Sequence, residues 1–106
     1  MSLDASSSPK LPSVAVIIVN YRAADLVAEN LPSVLAELEA FSSFEVVIID
    51  NASPGDDHRI LAGAVAPHEH VRLIRAEKNG GFAYGNNRGL EVIGPSELVF
   101  FLNPDA

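Results

Sequence analysis

The run VAVIIV, from Val14 to Val19, decides the fold of this chain of 106 residues. It is almost entirely β-branched and apolar, which predicts a strand buried on both faces, as strands of parallel sheets are. Three more runs of this kind follow, at residues 44–49, 71–74 and 98–102. We therefore expect a sheet of four strands, each followed by a polar turn.

Helical patterns separate the predicted strands. In the first of them, apolar residues recur at alternating steps of four and three: Val27, Leu31, Val34, Leu38 and Phe41. This stripe is typical of a helix packed on a sheet, and Pro32 predicts a kink in it. Two shorter helices are expected to end near residues 65 and 93. Alternating strands and helices imply right-handed crossovers, and hence an α/β, Rossmann-like parallel sheet with helices on both faces.

Composition excludes several classes of function. With 14 acidic and 7 basic residues the net charge is -7, so the extended positive surface that nucleic acid requires is missing. The chain has no cysteine, which rules out disulfides and thiolate metal sites. No apolar run approaches the roughly 18 residues of a membrane span. We expect no nucleic-acid partner, no membrane span in this chain and a cytoplasmic location.

The first residues differ in character from the rest. Residues 1–12, MSLDASSSPKLP, are rich in serine and proline and lack both apolar periodicity and the features of a secretory signal. They are predicted to form a flexible leader. No linker divides the remainder, so residues 13–106 are expected to form one unit.

Polar residues follow every predicted strand, at the edge where parallel sheets bind ligands. Asn20 and Tyr21 follow the first strand, and Asp50 and Asn51 follow the second. Residues 75–79 follow the third strand and residues 103–105 the fourth. We expect the carboxylates of Asp50 and Asp105 to point toward one edge. The alternative for any single aspartate at a strand end is a turn or cap without a ligand.

Four stretches in order resemble family 2 glycosyltransferases, especially their rhamnosyltransferase-like branch: VAVIIVNYRAADLVAENLPSVL, EVVIIDNASPGD, EKNGGFAYGNNRGL and LVFFLNPDA. The resemblance covers nearly everything from Val14 to Ala106. It implies the nucleotide-binding half of a GT-A domain and an inverting transferase. The implied donor is a nucleotide-diphosphate sugar linked to UDP or dTDP, with rhamnose as the sugar that the branch suggests. The implied acceptor is a glycan or a lipid-linked molecule, in cell wall or polysaccharide biosynthesis.

The resemblance also implies roles for the two aspartates. Asp50 matches the base-recognition aspartate, and a carboxylate accepts the imide N–H of uracil or thymine well. Asp105 matches the last acid of the DXD motif, and its oxygens suit Mg²⁺ or Mn²⁺ as metal ligands or, alternatively, a ribose hydroxyl. Asn103 stands where the first aspartate of that motif would be, which lowers the expected metal affinity and leaves metal dependence open.

The glycine-rich third stretch supplies further candidates. Asn79 and Gly81 precede a helix start, where free N–H groups suit an anion. Asn87 and Arg88 could reach the base or a phosphate, or else be solvated helix residues; Gly89 is expected to mark a helix end. Tyr21 could stack on the base or simply pack.

The histidines offer no convincing metal site. His68 and His70 lie in a polar connection without a third ligand and are expected to be solvated, and His58 receives no role.

The chain is also expected to be incomplete. Nothing in it matches the catalytic base of the family by position, so we expect the base beyond Ala106 and an inactive fragment, truncated at its C-terminus. Such a sheet would expose its last strand and self-associate through that edge. The full-length protein would lie at the inner face of the membrane. The alternative function is a non-catalytic nucleotide-binding or interaction module of Rossmann-like fold, although G-x-G-x-x-G and Walker motifs are missing.

Overall fold

Strands and helices alternate along the chain, as predicted, in a computed structural model that describes residues 11–104. The elements are β1 (Val14–Asn20), α1 (Ala24–Leu38), β2 (Phe44–Asp50), α2 (Asp57–Val65), β3 (Val71–Arg75), α3 (Gly81–Val92) and β4 (Leu98–Leu102). Most of the predicted leader, and Asp105 with its predicted metal-binding role, lie outside the described residues. None of the described helices is both long and apolar enough to cross a membrane.

The four strands form one parallel sheet in the order β3-β2-β1-β4. All residues of β1 are buried, which confirms the prediction of a strand covered on both faces. The register pairs Asn20 with Asp50 and Asp50 with Arg75, so the last residues of three strands lie side by side. This alignment creates the polar edge described below.

Two apolar layers cover the sheet, one on each face. Alternate residues of β1 and β2, such as Val16 and Ile48, pack under α1 and α2. The residues between them, such as Ile17 and Ile49, pack on the other face together with side chains of α3. Because successive side chains of a strand point to opposite faces, each strand contributes to both layers.

Glycines bring α3 close to the sheet. A Cβ atom at Gly89 would lie 2.6 Å from Cγ2 of Ile17, and one at Gly85 would lie 2.6 Å from Cγ1 of Val19. The expected helix end at Gly89 is wrong, since α3 continues to Val92. These glycines therefore serve close helix-to-strand packing within the helix.

Two further details refine the sequence-based description. Pro32 lies inside α1, which runs through it from Ala24 to Leu38. Leu11, within the predicted leader, forms an isolated parallel bridge with Phe41, and its carbonyl accepts from the N–H of Ser42 at 2.8 Å.

Candidate functional site

The carboxyl edge of the sheet has two sides with different character. Asn20, Asp50 and Arg75 are aligned in register. Asn20 and Asp50 take part in a buried polar network with the start of α2. Tyr21 and Asn51, each one residue further along, line a cleft at the start of α3. The edge thus carries a packed network on one side and an open cleft on the other.

Asp50 lies at the centre of the network, and its side chain is completely buried. Its Oδ1 accepts from the backbone N–H of Ser53 at 3.1 Å and from Nδ2 of Asn20 at 3.4 Å. Its Oδ2 lies 3.1 Å from Nδ1 of His58 and 3.4 Å from Nη1 of Arg75. Both carboxylate oxygens are therefore engaged inside the protein, and the contact with His58 is an ion pair only when that ring is protonated.

The network joins four segments of chain. Nδ2 of Asn20 also lies 3.2 Å from Oγ of Ser53 and 3.3 Å from Oδ2 of Asp57, so its two hydrogens are shared among three acceptors. The backbone N–H of Arg22 donates to Oγ of Ser53 at 3.0 Å, and Nη2 of Arg75 donates to the Ser53 carbonyl at 3.2 Å. The turns after β1 and β2 are consequently tied to each other, to the first turn of α2 and to the end of β3.

The cleft on the other side has a volume of about 260 Å³. Its lining residues come from the ends of β1, β2 and β4 and from the start of α3: Val19, Tyr21, Asn51, Asn79, Gly81, Phe82 and Asn103. The first N–H groups of any helix lack partners within the helix, so the start of α3 brings backbone donors to this cleft.

Asn51 links the turn after β2 to α3. Its Nδ2 donates to the carbonyl of Gly81 at 2.9 Å and lies 3.4 Å from Oδ1 of Asn79. The same Oδ1 of Asn79 accepts from the N–H of Gly81 at 3.1 Å, where the backbone has a φ of 92°. Oδ1 of Asn51 is buried and has no hydrogen-bond partner among the described residues. The amide is thus oriented by its donors and keeps an acceptor unused.

The structure sorts the predicted site residues into separate places. Tyr21, Asn79, Gly81 and Asn103 meet at the cleft, and Asn51, which sequence reasoning did not assign to the site, joins them. Asn20 and Asp50 lie in the network on the opposite side. A contact of Asp50 with a nucleobase stays a prediction, and it would require His58 or Arg75 to move away.

The two predicted residues further along α3, Asn87 and Arg88, do not line the cleft. Arg88 lies seven residues beyond Gly81 on the helix, which corresponds to about 10 Å. Its Nη1 donates to Oε1 of Glu91 at 2.7 Å. Asn87 is the preceding residue, and its side chain is exposed.

The described residues do not build a metal centre by themselves. Between Leu11 and Pro104, no three His, Asp or Glu side chains are grouped so that they could hold a metal ion. Asp105, the predicted metal ligand, lies outside this range. The arrangement of Asp50 relative to Asp105 therefore stays a prediction.

A parallel sheet with a polar cleft at its carboxyl edge defines an α/β domain of Rossmann-like type. Within that type, the chain belongs to glycosyl transferase family 2, whose family description matches residues 15–106. This confirms the family that the sequence motifs indicated.

Curated relatives agree with this membership. The chain is 35% identical over 92 residues to "Succinoglycan biosynthesis protein ExoU" of Rhizobium meliloti (strain 1021), covering 87% of this chain and 26% of the relative. It is 30% identical over 94 residues to "Putative teichuronic acid biosynthesis glycosyltransferase TuaG" of Bacillus subtilis (strain 168), covering 89% of this chain and 36% of that protein. The chain thus spans about a quarter to a third of the length of these relatives.

A solved structure shows the same fold. A mannosyltransferase of Pyrobaculum calidifontis, PcManGT, in complex with GDP-Man and Mn²⁺, superposes with a TM-score of 0.76 at 24% identity. The match covers 93% of this chain and 30% of that chain. This likeness confirms the predicted GT-A architecture.

Proposed function

We propose that residues 13–106 form the donor-binding part of a glycosyltransferase that transfers a sugar from a nucleotide-diphosphate sugar. The observation that carries this proposal is the cleft between Tyr21, Asn51 and Asn79, at the carboxyl edge of a sheet in a chain of glycosyl transferase family 2. The mannosyltransferase with the same fold was solved with such a donor, GDP-Man.

The cleft offers groups that suit each part of a nucleotide. The Tyr21 ring is 39% exposed and provides a flat surface on which a base can stack. Oδ1 of Asn51 is buried at the wall of the cleft and has no hydrogen-bond partner among the described residues, so a rotation of this amide toward the cleft would let it accept the imide N–H of uracil or thymine. The N–H groups at the start of α3 favour the negative charge of the diphosphate.

The transfer itself is proposed to invert the anomeric carbon. The acceptor hydroxyl forms the new bond from the side opposite the leaving nucleoside diphosphate, and a base removes its proton. Rhamnose as the sugar and a glycan or lipid-linked acceptor are parts of this proposal, supported by the motif resemblance and by relatives named for polysaccharide biosynthesis. The location at the inner face of the membrane stays a prediction.

Replacing Asn51 by alanine tests the base contact. Titration calorimetry with UDP and dTDP should show binding of both nucleotides to the unchanged protein. The variant should bind UDP about tenfold more weakly, since it loses one hydrogen-bond acceptor. Asn30→Ala, at an exposed position of α1, serves as the control. Equal affinity of the Asn51 and Asn30 variants would contradict the proposed donor site.

A divalent cation is a further part of the proposal. The carboxylate of Asp105 is a hard oxygen ligand of the kind that Mg²⁺ and Mn²⁺ prefer, and the mannosyltransferase was solved with Mn²⁺. Such an ion would neutralise the charge of the leaving diphosphate. We expect Mn²⁺ to strengthen UDP binding to the unchanged protein and to leave the affinity of Asp105→Ala unchanged. Asp56→Ala, whose carboxylate is exposed and pairs with Arg59, should keep the Mn²⁺ effect; its loss in both variants would argue against a ligand role of Asp105.

Self-association through β4 is also proposed. Its outer edge pairs with no strand among the described residues, and Phe101 is 45% exposed. Sedimentation velocity should show dimers that increase with concentration. Phe101→Lys should reduce them because a charged side chain opposes strand pairing, whereas Leu90→Lys, at a 44% exposed position of α3, should not. A monomer at every concentration would refute this.

A further inference from the structure

We propose that Asp50 is a positioning residue, whose buried carboxylate holds the turn after β2 in the shape that directs Asn51 into the cleft. The inference rests on the proposed donor site, and it assigns to Asp50 an indirect role in place of a contact with the nucleotide. Three features of the structure carry it.

The first feature is the turn itself. Ala52 has a φ of 59°, a conformation that residues with side chains rarely adopt. Asp50 closes this turn with two hydrogen bonds. Its carbonyl accepts from the N–H of Ala52 at 2.8 Å, and its Oδ1 accepts from the N–H of Ser53, on the far side of Ala52, at 3.1 Å. Without the carboxylate, the N–H of Ser53 loses this partner, and the bond that holds Ala52 in the left-handed conformation is gone.

The second feature is the fixation of the carboxylate. Its Oδ2 faces Nδ1 of His58 on α2 and Nη1 of Arg75 on β3. Arg75 also donates to the carbonyl of Ser53 at 3.2 Å, at the far end of the same turn. The turn is therefore held from two secondary-structure elements, and a charge inside a low-dielectric interior strengthens each of these bonds.

The third feature is the position that the turn gives to the Asn51 side chain. Asn51 points to the opposite face from Asp50, is 1% exposed, and donates to the Gly81 carbonyl at the start of α3. A change in the turn moves this amide, and with it one wall of the cleft. The carboxylate of Asp50 has four partners, whereas Oδ1 of Asn51 has none among the described residues, so we expect the effect of Asp50 on a ligand to pass through Asn51.

The test is a double-variant cycle on UDP affinity and on stability. Asp50→Ala should weaken UDP binding about tenfold in the unchanged protein and less than about twofold in the Asn51→Ala background. Its effect on the midpoint of urea unfolding should be the same in both backgrounds. A direct contact of Asp50 with the nucleotide, or a purely structural role, would weaken UDP binding by the same factor in both backgrounds, and that result overturns the proposal.

Two additions keep the outcome decisive. If Asp50→Ala fails to fold, Asp50→Asn takes its place. This variant retains an oxygen for the N–H of Ser53, so its UDP affinity should lie within about threefold of that of the unchanged protein. In addition, the side-chain amide resonances of Asn51 should shift strongly in Asp50→Ala, return toward their original positions in Asp50→Asn, and stay in place in the exposed control Asp56→Ala. Shifted resonances without UDP binding by the unchanged protein would reject the donor site and support the positioning role, and unshifted resonances would reject the positioning role.

Discussion

Replacing Gly85 by alanine is expected to damage both stability and nucleotide binding. The added Cβ would lie 2.6 and 2.9 Å from the two Cγ atoms of Val19 and 3.2 Å from Nδ2 of Asn51. Val19 belongs to a central strand that cannot shift without disturbing its neighbours, so α3 must move away from the sheet. We expect the free energy of unfolding to fall by about 2 kcal/mol. UDP should bind at least about tenfold more weakly because Asn51 and the start of α3 are displaced together.

The two effects of Gly85→Ala are measured separately. Urea unfolding followed by circular dichroism gives the stability, and calorimetry well below the unfolding midpoint gives the affinity. Unchanged UDP affinity in a folded but destabilised variant would show that the cleft does not depend on the position of α3.

Gly89→Ala is expected to lower stability as strongly while sparing the cleft. The new Cβ would approach three atoms of Ile17 at 2.6 to 3.0 Å, and this side chain is fully buried in β1. Overpacking of this kind costs about 1–3 kcal/mol, more than the helix propensity of about 1 kcal/mol that alanine adds. A fall in the free energy of unfolding of about 2 kcal/mol should therefore be seen in urea.

Gly63 provides the matched control for this prediction. It lies within α2, and a Cβ atom there would meet nothing within 4 Å. Gly63→Ala should raise the free energy of unfolding by up to about 1 kcal/mol, because only the propensity gain remains. Equal shifts of the same sign at Gly63 and Gly89 would show that α3 does not pack on β1 through its glycines.

The sequence predicted the strands well, because burial on two faces leaves a continuous apolar run. The observed β1, β2 and β3 each extend one residue beyond the predicted run, to Asn20, Asp50 and Arg75. These polar residues were assigned to turns from their side chains, yet backbone pairing continues through them. The polar network around Asp50 explains this, since it gives the Asp50 carboxylate and Nδ2 of Asn20 hydrogen-bond partners inside the protein.

The candidate site was harder to predict. The sequence shows which polar residues follow each strand. The face of the sheet to which each side chain points depends on where strand pairing ends, because a shift of one residue moves a side chain to the other face. Sequence reasoning therefore gave Asp50 a role at the ligand and none to its neighbour Asn51, although the regular alternation of β2 was the signal that places the two side chains on opposite faces; the role of Asp50 at the ligand stays a prediction. Likewise, His58 received no role because its partner Asp50 is eight residues away across a turn whose shape the sequence does not give.

The exposed apolar strand β4 bears on how such variants can be measured. Leu98, Phe100, Phe101 and Leu102 are each 38–45% exposed while the protein is folded. Dyes that become fluorescent on binding exposed apolar surface should bind this strand in the folded protein before any heating. Their fluorescence should then stay constant or decrease on unfolding, whereas it increases on unfolding of proteins without such a surface. Thermal screening of this chain with such dyes would misread an intact domain as a molten one.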